Sequence, residues 1–436
     1  MPMVDTRSVV IGAGPAGLLA ARDLLSRGDA VTVLEASPAV GGRVSPLKLD
    51  GLTLDAGAES FATRGGKVAE LARELGLTVV NPASHPAWVV APGRAYPLPA
   101  TGWLGIPTRP LDKDVRRIIG NAAAVHASLE PHRPLGEIAD DVTIGALVRV
   151  RLGDEIAQSL VTPVLQGVYA RNIDQLPLRD IDPALPEELR EVGSLLHLAD
   201  RKRTLSPAGS AVQGIEGGMW RLTAALADAV RAAGGRIVTS AAAERLTFDD
   251  GAWHITAGGG KVVADRVVIA TPLSDAAPLI PNLPPYEPRQ TAVVTLVLSA
   301  PHLAGAPRGT GVLALEGVTR AKALTHSTAK WPWLAREAGN RHVVRLSYAV
   351  GESALEEPAS GEPGENLAAL AVQDASRLLG VALTEANVRA QATSMWHDSA
   401  PTSVENLSPA PGLYLVGSAA GRSGLANIAS APAPWD

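Results

Sequence analysis

A glycine-rich turn near the start constrains this chain more than any other feature in it. Residues 7–11 (RSVVI) form a short β-branched run. Gly12-Ala13-Gly14-Pro15-Ala16-Gly17 follows, then LLAARDLLSRG and AVTVLEA. Read by periodicity, this predicts a strand, a tight turn, an amphipathic helix stopped at Gly28, and a second strand. Each glycine has its own task. Gly12 permits the turn, Gly14 lets a pyrophosphate approach the backbone, and Gly17 lets the helix pack closely on the sheet. The helix N-terminus adds free N–H groups and a dipole that favours phosphate. Glu35 ends the second strand, about where an acid that binds a ribose belongs. A bare GxGxxG is weak evidence, but here strand, helix, second strand and acid fall in register. The pattern predicts an α/β chain with a Rossmann-like dinucleotide domain.

Composition sets the outer limits. At 436 residues the chain has room for two or three domains. Hydrophobic residues are 46% and charged residues 19%, so it can bury a large core. Aromatics are only 3%, so aliphatic residues and Ala must fill most of that core. A formal net charge of −5 argues against nucleic acid as the main partner. Cysteine is absent, which excludes disulfides, thiolate catalysis, Cys zinc sites and Cys-ligated iron–sulfur clusters. The nine His are scattered without HExxH-type spacing, so no metal site is expected. The start, MPMVDTRSVVIGAGPAG, lacks the pattern of a secretory leader, so none is expected. The most apolar run, TAVVTLVLSAPHLAGAP (291–307), is broken by Pro301 and Pro307 and reads as a buried strand plus loop. A soluble, cytoplasmic protein is expected, with peripheral membrane contact left open.

Four further patches specify the cofactor. Ala36-Ser-Pro-Ala-Val-Gly-Gly-Arg43-Val follows the ribose acid, and LDAGAESF occupies 54–61. This diglycine-Arg segment resembles the signature of FAD-dependent oxidoreductases of the amine-oxidase type, in which Arg43 would meet a phosphate. A plain NAD dehydrogenase has no such segment. Residues 234–272 alternate short strands with turns and end in an apolar strand running into Ala-Thr-Pro. They look like the second half of a flavoprotein dinucleotide domain, with the backbone near Ala243 facing the adenine. PGLYLVGSAAGRSG (411–424) is another buried strand opening into glycines. In that group this turn sits near the ribityl chain and pyrophosphate.

The remaining segments narrow the resemblance. DAGAESFATR (55–64), AYPLPATGWLGIPTRP (95–110), TPVLQGVYARNIDQLPLRDIDPAL (162–185), QGIEGGMWRLTAALADAV (213–230), HSTAKWPWLAREAGNRHVVRLSYAVG (326–351) and SMWHDSAP (394–401) occur in that order. They resemble the protoporphyrinogen/coproporphyrinogen oxidase family of haem biosynthesis, particularly its soluble bacterial branch, over nearly the whole chain. The resemblance implies a discontinuous FAD domain (1–78, 206–275 and 394–436) and an inserted α+β substrate domain (79–100 and 276–393). A helical insert would span 101–205, where the patterns DVRRIIGNAAAVHASL and IGALVRVRLGDEIAQSLVTPVL read as helices broken by prolines.

Carried over by position, the FAD contacts would be Gly12, Ala13, Gly14, Pro15, Ala16, Gly17, Glu35, Ala36, Gly42, Arg43, Gly57, Ala58, Glu59, Ser60, Ala243, Trp396, Gly417, Ser423, Gly424 and Leu425. The family strips electrons from a porphyrinogen in three flavin cycles, with oxygen reoxidising the flavin to give hydrogen peroxide. Three segments depart from its pattern, one being Arg171-Asn172-Ile173, where small or acidic residues are common. Arg-Ser-Gly-Leu-Ala-Asn-Ile (422–428) replaces a Gly-Val-Gly-Ile-Pro-x-Cys-Ile segment, so the final helix that supports the flavin is expected to be missing or cut short. Pro-Thr-Ser-Val-Glu-Asn (401–406) replaces an aromatic Pro-Gln-Tyr type segment.

Flavin oxidation needs little from side chains, since the cofactor carries the chemistry. A porphyrinogen is an apolar macrocycle with carboxylates on its rim, so its pocket should be wide and apolar with a few cations at the edge. Candidates are Arg64, Lys330 and Arg345, then Arg171 and Arg179, with Tyr169 and Trp331 as lining. Arg201-Lys202-Arg203 reads as an exposed loop. Coproporphyrinogen III is the expected substrate. The alternatives are protoporphyrinogen IX, an amine, or flavin or porphyrin binding without turnover; an amine site would want an aromatic cage that this composition disfavours.

Overall fold

The computed structural model describes residues 6–100, 102–139, 141–169, 172–204, 212–280, 286–350, 367–401 and 411–435. β1 (Arg7–Ile11) and β2 (Ala30–Leu34) pair in parallel, and α1 (Pro15–Ser26) connects them. Pro15 stands in the first turn of α1, where its missing N–H costs nothing and its fixed φ suits a helix. The chain leaves α1 through Gly28 at φ 91°, a left-handed stop.

Five parallel strands make one sheet in the order Arg236–Val238, β2, β1, Arg266–Ile269, Leu413–Leu415. Its strands are apolar on both faces, as a covered parallel sheet requires. Val10, Val31, Val33 and Val268 pack with α1 and the helix Trp220–Ala232. The alternate residues Val9, Ile11, Leu34, Val267 and Ile269 pack with Trp253 and Ile255 of an antiparallel meander, Ala243–Asp249, Ala252–Ala257 and Gly260–Ala264. The expected alternation of strands and turns over 234–272 is therefore present.

A second sheet has seven strands, ordered Val388–Pro401, Tyr286–Leu298, His342–Val350, Ala323–His326, Gly311–Ala314, Trp88–Ala91, Arg94–Pro97. All neighbours are antiparallel except the pair Gly311–Ala314 and Trp88–Ala91. The apolar run at 291–298 lies in its interior, and Pro301–Leu303 turns the chain away. The helix Leu367–Leu379 lays Val372, Ala375 and Leu379 on Val294 and Leu346.

Residues 113–204 are mostly helical, with prolines at several of the expected breaks, as at Pro131 in the short turn Glu130–His132 and Pro177 before Leu178–Ile181, but glycines make others. The chain turns at Gly120 (φ 84°) and Gly153 (φ 99°), between Lys113–Ile119 and Asn121–Ser128 and between Ile144–Leu152 and Asp154–Ile156. Glycine breaks these helices because it alone enters that region without strain. Pro163 does not break its helix. It stands just after a π turn, Ala157–Val161, at the start of Thr162–Tyr169. Proline removes one N–H from the helix ladder, and the carbonyl four residues back then needs another donor. That carbonyl, Ser159 O, accepts from the Tyr96 hydroxyl at 2.9 Å.

The triplet Arg201-Lys202-Arg203 is the last turn of the helix Leu195–Thr204 rather than a loop. Its charges suit a helix C-terminus, and Glu188 and Glu191 meet Lys202 and Arg201. The largest fully buried side chains of the described residues are all Leu and Ile, many of them in this helical region, as the scarcity of aromatics required. No described helix is long and apolar enough to cross a membrane.

One buried pair organises the helices. Glu130 is 0% exposed and accepts from Arg151, from the Ser194 hydroxyl at 2.5 Å and from Leu195 N at 2.9 Å. Burial alone would raise its pKa, but these donors more than offset that and hold the carboxyl below its usual range. Glu130→Ala strands Arg151 in a dry site, so it should cost roughly 3–5 kcal/mol. A urea titration against wild type measures this, and a cost below about 1 kcal/mol would mean water reaches the pair.

Candidate functional site

The three glycines of the first turn behave differently, and the difference marks where a ligand fits. Gly12 has φ 101°, and a Cβ there would stand 3.1 Å from Thr271 Cγ2. A Cβ on Gly17 would collide with the Gly12 carbonyl oxygen and stand 3.2 Å from Ala270 Cβ, so α1 sits directly on the sheet. Gly14 is the reverse: no atom of the described residues lies within 4 Å of the space a Cβ would fill. That open space lies at the N-terminus of the twelve-residue α1, where a pyrophosphate finds unpaired N–H groups.

Other predicted residues gather round this turn. Glu35 is buried just beyond β2, and its carboxylate accepts from Ala13 N at 2.7 Å and Ser37 N at 2.8 Å. Ala36, beside it, is exposed. Glu35 O accepts from Ala241 N and Ser37 O from Ser240 N, both at 2.9 Å, which brings the approach to Ala243 alongside the ribose acid. The diglycine segment folds back on the turn. Gly41 N donates to Ala13 O at 2.9 Å, and a Cβ on Gly42 would lie 3.5 Å from Gly14 Cα. Arg43 donates to the His397 carbonyl at 2.5 Å, and its own carbonyl accepts from Ala58 N at 2.9 Å.

Gly57 and Trp396 meet on this same side. A Cβ on Gly57 would collide with Arg43 O and stand 3.2 Å from Trp396 Cε2. Among the described residues the buried indole Nε1 of Trp396 meets no hydrogen-bond acceptor, and a donor so placed is of the kind a bound polar group satisfies. A Cβ on Gly417 (φ 63°) would stand 2.6 Å from Ala16 Cβ, so this turn lies against the start of α1. Ser423 and Gly424 are exposed and Leu425 is half-buried, opening the short helix Leu425–Ala429. The open space at Gly14, with Gly42 beside it, the tight approach at Gly57 and the Trp396 donor all fit a dinucleotide cofactor.

Glu59 pairs with two of the candidate cations. Its carboxylate accepts from the Ser327 hydroxyl at 2.7 Å, Lys330 Nζ at 2.8 Å and Arg345 at 3.2 Å. Burial opposes its charge, but Lys330 and Arg345 more than offset that and hold its pKa at about 2. Arg345 also donates to the carbonyls of Ala56 and Gly57, and Ser60 Oγ lies 3.4 Å from Lys330 Nζ. Glu59, Ser327 and Arg345, with Asp55, Trp331 and Trp333, line one narrow cleft. Trp331 is 2% exposed and packs across Gly214.

Arg64 is exposed and donates to Asn427 Oδ1 at 2.5 Å and to Ile181 O at 3.4 Å. Arg179 is exposed on Leu178–Ile181, Tyr169 ends the helix Thr162–Tyr169, and Arg171 lies outside the described residues. Among the described residues no group of three or more His, Asp or Glu stands ready for a metal.

Asp55 has a role that neither its residue type nor its spacing announces. It sits at the end of the strand Leu52–Asp55 and accepts from Met219 N at 3.1 Å and Trp220 N at 2.9 Å, capping the helix Trp220–Ala232. Burial raises its pKa to about 6 against those two bonds. A local capping signal could not reveal it, because Asp55 and Met219 are 164 residues apart.

The chain matches the model of the flavin containing amine oxidoreductases over residues 15–428 and belongs to that family. It is accordingly an FAD-dependent oxidoreductase, and FAD is the cofactor whose pyrophosphate and ribose the cradle fits. Among its relatives, the coproporphyrinogen III oxidase of Bacillus subtilis (strain 168) is 26% identical, over 78% of this chain and 79% of that protein. That of Mycobacterium leprae (strain TN) is 29% identical over 92% and 88%. A solved Exiguobacterium sp. 255-15 protein, provisionally named a protoporphyrinogen oxidase, superposes with a TM-score of 0.81 at 24% identity, covering 98% of this chain and 97% of that one. Putrescine oxidase bound to putrescine gives 0.64 at 15%, covering 98% and 97%. These structures share the mixed α/β fold.

The contrast between the glycines can be checked directly. Gly14→Val should purify without flavin yet melt with flavin-free wild type, whereas Gly17→Val should melt earlier than flavin-free wild type as well; equal melting losses in both relative to that form would refute the open cradle. Asp55 makes stability depend on pH. A folded-state pKa raised above the unfolded value gives it a contribution present below about pH 4 and lost as pH rises through about 6. Wild type should therefore lose about 3 kcal/mol relative to Asp55→Asn across that window. Denaturant titrations of both proteins at pH values spanning it would measure the loss, and a constant difference would place the titration elsewhere.

Proposed function

We propose that this chain oxidises coproporphyrinogen III to coproporphyrin III, with FAD accepting the electrons and oxygen reoxidising FAD to hydrogen peroxide. The observation that carries this reading is the agreement of relatives: five bacterial proteins named coproporphyrinogen III oxidase, each from a different species, match at 26–29% identity. Removal of six hydrogens from the macrocycle corresponds to three two-electron flavin cycles and three molecules each of oxygen and peroxide.

When bound, FAD supplies the electron acceptor, and the residues of this chain hold, orient and shield. In this reading the Gly12–Gly17 loop holds the pyrophosphate, with Pro15 starting the helix beneath it. Glu35 and Ala36 flank the adenosine ribose, and Ala243 faces the adenine. Gly42, Arg43, Gly57, Ala58 and Trp396 border the rest of the cofactor, with Gly417, Ser423, Gly424 and Leu425 closing the other side. The packing of Gly42 over Gly14 and of Gly417 on Ala16 supports that assignment. Glu59 acts beyond the cofactor by neutralising Lys330 and Arg345. The rim cation best disposed toward a propionate is then Arg64, which is exposed. Tyr169, at the end of its helix, lines the cavity in the same reading.

The partition of the chain belongs to the same reading: an FAD domain of 1–78, 206–275 and 394–436, a substrate domain of 79–100 and 276–393, and a helical insert of 101–205. So does a cytoplasmic location.

Anaerobic mixing of the FAD-loaded protein with coproporphyrinogen III tests the proposal, because excluding oxygen removes spontaneous porphyrinogen oxidation. Flavin absorbance should bleach within the mixing experiment as coproporphyrin appears. Repeating with protoporphyrinogen IX ranks the two substrates. Flavin that stays oxidised with both, yet bleaches with an amine, would overturn the reading.

A further inference from the structure

The sequence departs from the family pattern where a final flavin-supporting helix is expected, and the structure has only the five residues Leu425–Ala429 in helical form there. The segment after that helix is nevertheless fastened. Trp435 donates from Nε1 to Asp23 Oδ2 at 2.7 Å, on the solvent-facing side of α1. The same oxygen accepts from Arg27 Nε at 2.8 Å, which fixes the carboxylate that receives the indole. The indole meets Tyr414 edge-on, with centroids 5.7 Å apart at 87°. Tyr414 in turn carries the Arg266 guanidinium 5.9 Å from its ring centre, and Arg266 is paired with Asp29.

Between Trp435 and this strand the chain is held at intermediate points. Ala426 is 6% exposed and packs, with Leu425 and Ala429, into the core formed by Val10, Leu18 and Val68. Asn427 receives Arg64 at 2.5 Å and donates to Ser423 O at 2.9 Å. The Trp435 bond and the Ala426 packing both reach α1 or the core beneath it, the helix whose first turn forms the phosphate end of the cradle.

We propose that Trp435 is a positioning residue for FAD: its bond to Asp23 and its contact with Tyr414 tie residues 413–435 to α1, so that the turn at Ser423–Leu425 is held against the cofactor. The side chain does not touch the cofactor. It acts through the turn, by reducing the number of conformations that turn adopts before FAD arrives, which is the general route by which preorganisation raises affinity.

The test compares full-length Trp435→Ala and Trp435→Phe with wild type and with Glu130→Gln, a destabilised control remote from the turn. Each protein is stripped of flavin and titrated with FAD while flavin fluorescence is monitored, and the visible circular dichroism of the bound flavin is recorded. Trp435→Ala should raise the FAD dissociation constant about tenfold and flatten the flavin dichroism. Trp435→Phe keeps the ring contact but loses the donor, so it should fall between. Glu130→Gln should melt earlier with FAD binding unchanged. If Trp435→Ala fails to fold, Asp23→Ala removes the same hydrogen bond from the other side and should raise the constant about threefold. Trp435 variants that melt early but bind FAD within about twofold of wild type, with unchanged dichroism, would reduce the residue to a structural role. The readout is FAD binding, so this outcome is independent of which substrate the flavin oxidises.

Discussion

The arrangement of this protein turns on the buried charge of Glu59. A carboxylate withdrawn from water must find counter-charge and hydrogen bonds or give up its ionisation. Here it finds Ser327 and Lys330 on one short segment and Arg345 on the strand His342–Val350. Those donors belong to the seven-stranded sheet and the turn beside it, while Glu59 stands just after the hairpin that brings Gly57 to Arg43 and Trp396. The demand for neutrality thus fixes the segment bordering the cofactor against the second sheet. Arg345 tightens that link by donating to the backbone at Ala56 and Gly57 as well. Lys330 and Arg345 are therefore best understood together with Glu59, as the inner side of one ionic cluster.

Much of the dinucleotide region is legible in the sequence because its signals are local. β1, the turn, α1 and β2 occur within about thirty residues, and each glycine answers to a steric demand visible from its neighbours. The alternation over 234–272 and the apolar run at 291–298 are legible for the same reason. The helical region is harder. Its apolar periodicity announces helices and its prolines mark several breaks, but Gly120 and Gly153 add two more and Pro163 makes none. The reason is the distant Tyr96 hydroxyl, which supplies the carbonyl that Pro163 leaves unbonded. Arg201-Lys202-Arg203 looks like a loop because a cluster of cations is costly in isolation. Glu188 and Glu191, a turn or more away on another helix, make it a stable helix end.

The candidate site is legible in its backbone and poorly legible in its charges. Gly12, Gly14, Gly17, Glu35 and the diglycine at Gly41-Gly42 come together as their types suggest. The pairings of Glu59 and Asp55 are not foreseeable, since their partners lie far along the chain and nothing in a single sequence announces them. Arg64 likewise joins Asn427 to Ile181 across segments that no periodicity relates.

The five-stranded parallel sheet has one further consequence, for synthesis. Its central strand is Arg7–Ile11, yet one neighbour is Arg266–Ile269 and the edge beyond that is Leu413–Leu415. A ribosome delivers the first of these long before the last. Until the final strand emerges, Val267, Val268 and Ile269 carry an unpaired edge, and parallel pairings of such sequence separation close slowly. The helices of 113–204 bury a core of their own and can settle meanwhile. The cofactor cradle is thus among the last parts of the molecule to be completed, so newly made chains spend their most aggregation-prone interval without FAD to hold them.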